Sequence, residues 1–118
     1  MKNQAKGFNR IIKAFGFSIQ GLKFCYQTEA SFRQEIFMSL VLIPLAFILT
    51  QDSVERTLLI LSVFLVLIVE VLNSAIESVV DRVGDEYHKL SGIAKDMGSA
   101  AVLLSFIALL VTWLIVLS

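Results

Sequence analysis

The chain has 118 residues, 57% of them hydrophobic, with one proline, one cysteine and ten basic residues balanced by ten acidic ones; its mean hydropathy is +0.81. This length allows one domain, zero net charge removes the field that would attract nucleic acid, and a lone Cys25 excludes an internal disulfide or a cysteine-based zinc site. A soluble domain this small buries only about 60 to 70% of its surface, too little for so apolar a composition, so the bilayer is the expected solvent.

The first predicted element is a helix over residues 5–27. Phe8, Ile11, Ile12, Phe15, Ile19 and Leu22 recur at steps of three and four, while Asn9, Arg10, Lys13 and Gln20 take other faces. That is the pattern of a basic amphipathic helix lying on a membrane. Lys2, Lys6, Arg10, Lys13 and Lys23 interleave with the apolar residues, so the continuous apolar stretch of a signal peptide is missing and the N-terminus is expected to be retained. Gly16 to Lys23, GFSIQGLK, echoes a phosphate-binding loop only superficially: Leu22 separates the second glycine from the lysine, Phe24 follows, and no strand precedes it. Cys25 is expected to be an inert lipid-facing residue.

Three spans follow. In residues 32–50, FRQE precedes IFMSLVLIPLAFIL; the charged start belongs at the interface, and Pro44 is tolerated more easily in a membrane helix than in a soluble one. Residues 57–80 open with LLILSVFLVLIV and then admit Glu70, Asn73 and Glu77. Residues 97–118, MGSAAVLLSFIALLVTWLIVLS, carry no charge and would reach about 33 Å as a helix, one hydrocarbon thickness. Small residues along this last span, from Gly98 to Ala108, suggest close helix approach. Lys2, Lys6, Arg10, Lys13, Lys23 and Arg33 precede the first span, and Arg82, Lys89 and Lys95 lie in the second loop, residues 81–96; the first loop has only Arg56. The expected topology puts the N-terminus and second loop in the cytoplasm and the C-terminus outside.

A charge near the bilayer centre costs on the order of 2.5 to 3.5 kcal/mol even on a lenient scale, yet Glu70, Asn73, Glu77 and Asp81 are spaced +3, +4 and +4, on one helical face with Ser74 at its border. A polar seam joining helices would need only Asn and Ser. Three carboxylates with no base among them require a cation, a proton or a partner from elsewhere. Glu29, where the surface helix meets the first span, could reach the depth of Glu77, and two oxygen ligands with other positions left to water and phosphate describe how Mg²⁺ is held. Glu70, about 10 Å deeper than Glu77 along the axis, is suited to general-base work on a hydroxyl delivered from the lipid. Lys95 could offset phosphate charge, and Glu86, Tyr87 and His88 offer partners for a base or ribose; a snorkelling anchor is the plainer reading of each.

The block VEVLNSAIESVVDRVGDEYHKLSGIAKDMGSAAVLLS, Val69 to Ser105, closely resembles the signature of the small prokaryotic integral-membrane diacylglycerol kinases. GFNRIIKAFGFSIQGLK, EASFRQE and Trp113 resemble the proteobacterial branch, so the likeness covers nearly the whole chain. The resemblance implies an all-α membrane protein, a homotrimer of protomers each with a surface helix and three spans, in the bacterial inner membrane. It implies transfer of the γ-phosphoryl group of MgATP to diacylglycerol, giving phosphatidic acid, at sites shared between subunits. On the same basis Glu70 is the catalytic base and Glu29 and Glu77 the metal ligands. The nucleotide would meet Arg10, Phe17, Glu29, Glu77, Glu86, Tyr87, His88, Lys95 and Asp96. The lipid would lie along Arg10, Ala14, Ser31, Phe32, Arg33, Gln34, Glu35, Arg56, Glu70, Ser99 and Trp113, with Asn73 and Asp81 in support. Phe17 departs from the pattern, since relatives often carry Tyr there. Members of the same family that phosphorylate undecaprenol share this chemistry and are the nearest alternative. A small proton-coupled transporter would use one buried acid but has no need of Glu29, Glu77, Lys95 and Asp96 at a cytoplasmic mouth.

Overall fold

The computed structural model describes residues 6–83 and 88–118, and among them the ordered elements are four α-helices: α1, Phe8–Thr28; α2, Ala30–Leu49; α3, Ser53–Arg82; and α4, Lys89–Leu117. The last three are long and apolar enough to cross a membrane. Gly16 to Lys23, the superficial phosphate-loop echo, is continuous helix within α1.

The helix boundaries are set by local chemistry. Gly7 enters α1 at φ 61°, a backbone conformation open to a residue without Cβ. Between α1 and α2 stands one extended residue, Glu29. Arg33 closes the end of α1, its Nη1 donating to the carbonyls of Tyr26 and Gln27 at 2.8 and 3.3 Å. α3 begins four residues before the predicted span because the Asp52 carboxylate accepts from the Glu55 amide at 2.9 Å. Thr50 donates to Glu55 at 2.5 Å, while Arg56 donates to the carbonyls of Thr50 and Phe47 and lies over the Phe47 ring. α4 begins eight residues before the predicted span, since His88 Nδ1 accepts from the Leu90 amide at 3.1 Å. Lys95 therefore belongs to the second turn of a helix and not to a loop.

α3 is the central element, packed against α4 and α2, with α1 touching α2 and α3. Its inward residues Leu59, Val63, Val66, Glu70 and Asn73 are spaced +4, +3, +4 and +3, a single helical face. The first three are fully buried, and Val63, Val66 and Leu109 form a core joined by Met38, Leu42, Ile43, Phe106 and Trp113. The Trp113 indole donates to Ser62 Oγ at 3.1 Å and to the Leu59 carbonyl at 3.3 Å. The accessible surface is 8752 Å², whereas a compact soluble monomer of this mass would expose about 6,400 Å². The excess is apolar: Phe8, Phe15, Phe37, Ile48, Leu104 and Leu114 are each more than half exposed.

An acidic column between the helices

At Glu70 the inner face of α3 changes from apolar to polar. Glu70 retains 4% exposure and Asn73 8%, and from α2 Glu35, at 5%, brings its carboxyl group into hydrogen-bonding contact with that of Glu70. Glu35 Oε1 and Asn73 Oδ1 are buried without a hydrogen-bond donor. Asn73 packs against Gly98 of α4, where a Cβ would overlap its side-chain oxygen and stand 3.2 Å from its Cγ.

One turn further along α3, Ser74 reaches the elbow between α1 and α2, its hydroxyl donating to Glu29 Oε1 at 3.1 Å. The Cys25 thiol donates to the same Ser74 oxygen at 3.7 Å. Cys25 is thus buried against α3, which corrects the lipid-facing orientation expected from the sequence: the Glu29 elbow folds the last turn of α1 inward. Burial pushes the thiol upward in pKa, and the charges of Glu29, Glu70 and Glu35 add to that, with Ser74 opposing.

Glu77 is half-buried on the next turn. It lies near enough to Lys95 for their charges to interact, and Lys95 Nζ pairs with Asp81 Oδ1 at 2.9 Å on the exposed rim. Five acids therefore descend from the buried interior to the surface: Glu35 with Glu70, then Glu29, Glu77 and Asp81. Among the described residues no three His, Cys, Asp or Glu side chains converge as a ready-made metal site. Glu29 and Glu77 are both half-buried, Glu29 held by Ser74 and Glu77 one turn further along α3.

Arg10, Ala14 and Phe17 share one exposed face of α1. Ser31, Arg33 and Gln34 are exposed at the start of α2, whereas Phe32 is buried beside Glu35 in the sequence. His88, Asp96 and Ser99 are exposed on or beside α4, and His88 has its Nδ1 engaged in capping. Glu86 and Tyr87 lie outside the described residues. Arg56 and Trp113 stand apart: Arg56 precedes Glu70 by 14 residues of α3, about 21 Å, and Trp113 bonds to Ser62 at that same end. An apolar groove of about 490 Å³, lined by Leu22, Phe32, Ile36, Leu67, Ile68 and Val71 among others, opens between α1, α2 and α3.

The direct meeting of Glu35 with Glu70 and the Cys25 to Ser74 to Glu29 chain were not legible in the sequence. FRQE reads as an interfacial charge cluster, and only the rotation of α2 against α3 decides which of its charges turns inward.

The family model for prokaryotic diacylglycerol kinase matches residues 16–117. The chain is 56% identical to a diacylglycerol kinase of Escherichia coli over 117 residues, covering 99% of this chain and 96% of that protein. It is 50% identical to one of Pseudomonas aeruginosa over 107 residues, 91% of this chain and 87% of that one, and 46% identical to one of Haemophilus influenzae over 107 residues, 91% of each.

Proposed function

Since the chain belongs to the prokaryotic diacylglycerol kinase family and is a lipid kinase, we propose that it transfers the γ-phosphoryl group of MgATP to the primary hydroxyl of diacylglycerol, giving phosphatidic acid at the cytoplasmic face of the inner membrane. The observation that carries this reading is the acidic column, which joins a water-accessible rim at Asp81 and Lys95 to a buried carboxyl pair at the depth of the apolar groove. A nucleotide arrives from water and a lipid hydroxyl from the bilayer, and a kinase for both needs such a link.

In this reading the single domain has α1 as an amphipathic helix on the membrane surface, with the N-terminus cytoplasmic and the C-terminus periplasmic. Three protomers associate and share sites across their boundaries. The excess apolar surface supports burial against neighbours as well as lipid. Glu29 and Glu77 would hold Mg²⁺, which when bound neutralises phosphate charge and orients the transferring group. Lys95 offsets further charge, with Arg10, Phe17, Glu86, Tyr87, His88 and Asp96 around the nucleotide and Asn73 and Asp81 in support. The lipid enters along Arg10, Ala14, Ser31 to Glu35, Glu70 and Ser99, its acyl chains in the apolar groove; Arg56 and Trp113 would touch only the far ends of the chains. Glu70 accepts the hydroxyl proton as the oxygen attacks the γ-phosphorus in line and ADP departs, with no phosphoenzyme.

The test is transfer of labelled γ-phosphate from MgATP to diacylglycerol and undecaprenol offered side by side in mixed micelles, with E70Q as control. Transfer to diacylglycerol that falls at least 100-fold in E70Q is expected. Preference for undecaprenol changes the substrate, an active E70Q removes the base, and retention of configuration at a chiral γ-phosphate removes direct transfer.

A further inference from the structure

We propose that Glu35 is a positioning residue for Glu70: it keeps a proton and donates a hydrogen bond to the Glu70 carboxylate, holding that carboxylate ionised and aimed at the lipid hydroxyl. The inference rests on the reading of Glu70 as the base and adds a partner to it.

Both side chains are at least 95% buried, come from different helices and meet carboxyl to carboxyl. Two carboxylates in contact away from water cannot both carry charge, so one proton is held between them. The groups around the pair do not remove that constraint. α1 contributes Cys25, whose thiol is turned to Ser74; the α1 and α2 elbow contributes Glu29, which is itself acidic; α3 adds the neutral Asn73, and α4 adds Gly98. Lys95 of α4 is engaged with Asp81 at the rim.

The division of labour follows from the surroundings. Glu70 shares its helical face with Asn73 and Glu77, the face that continues to the proposed phosphate end. Glu35 lies on α2 behind it, with one oxygen buried and unpartnered. An ionised Glu35 would hold its charge beside that orphaned oxygen, while the face of Glu70 leads on to the half-buried Glu77, so the proton is assigned to Glu35. During transfer the lipid O–H bond breaks, its proton passes to Glu70, the new oxygen to phosphorus bond forms and the bond to the ADP oxygen breaks. Glu35 keeps its own proton throughout.

Glutamine is the neutral isostere of a protonated glutamate and can still donate to Glu70, whereas alanine cannot. With the purified full-length protein in mixed micelles, E35A is expected to lose about 100-fold in kcat while its KM for MgATP stays within about twofold. E35Q is expected to regain at least thirtyfold of that loss, and E70Q is not rescued by being neutral. Equal inactivity of E35Q and E70Q would overturn the assignment, as would wild-type kcat in E35A. Activity in E70Q would instead remove the base reading, a separate failure. Should E35A not fold, judged by its thermal midpoint, the E35Q and E70Q pair still decides.

Discussion

Replacing Gly98 by alanine tests the packing of α4 on the acidic column, because its sign depends on a residue of another helix. In a helix interior, Gly to Ala stabilises by about 0.5 to 1 kcal/mol. Here the added methyl overlaps the Asn73 oxygen and crowds its Cγ at 3.2 Å, and Asn73 is 92% buried with little room to turn. Overpacking of this kind costs about 1 to 3 kcal/mol, so G98A should be neutral to about 2 kcal/mol less stable. In an N73A background the obstacle is gone and the same substitution should stabilise by about 0.5 to 1 kcal/mol. Unfolding of the four proteins by titration with denaturing detergent gives the cycle, with an expected coupling of about 1 to 3 kcal/mol. An equal effect of G98A in both backgrounds would refute the contact.

Three further outcomes follow from the same geometry. W113F removes the indole donor to Ser62 and Leu59 and should cost about 0.5 to 1.5 kcal/mol in the same titration; no change would mean that the indole N–H finds an equal partner in the lipid interface. Cys25, 4% exposed and with its thiol held protonated by burial, should react with a maleimide at neutral pH at least 100-fold more slowly in the native protein than after denaturation; comparable rates would contradict its burial against Ser74. K95A, which loses only an exposed pair with Asp81, should leave the thermal midpoint in place and raise the KM for MgATP by about tenfold; a falling midpoint with unchanged KM would make Lys95 a structural residue.

The spans were legible because the last is an uncharged run as long as the hydrocarbon core is thick and the other two carry apolar blocks that charged residues flank but do not interrupt. Their starts were not, since Asp52 and His88 each extend a helix backward by capping an amide, an effect of one side chain that hydropathy does not register. The polar stripe from Glu70 to Asp81 could be drawn from spacing alone because one helix carries it. Glu35 could not, since its place beside Glu70 depends on how α2 turns against α3, and Cys25 could not, since its burial depends on the single-residue elbow at Glu29. Contacts within a helix follow from its period, whereas contacts between helices require the packing.

The single face of α3 that runs from Leu59 through Val66 and then becomes acidic at Glu70 has the properties of a depth gauge. Before the transition the polar groups are already engaged, Ser62 with the Trp113 indole, and past it the buried carboxyl pair stands at one level. With Glu70 as the proposed base, alcohols would be sorted by how far their oxygen stands from the top of their chains, the length of those chains mattering little. Extending the headgroup by one or two methylene units carries the oxygen past that level toward the Asp81 and Lys95 rim, and turnover should fall with each unit while lengthening the acyl tail leaves it in place.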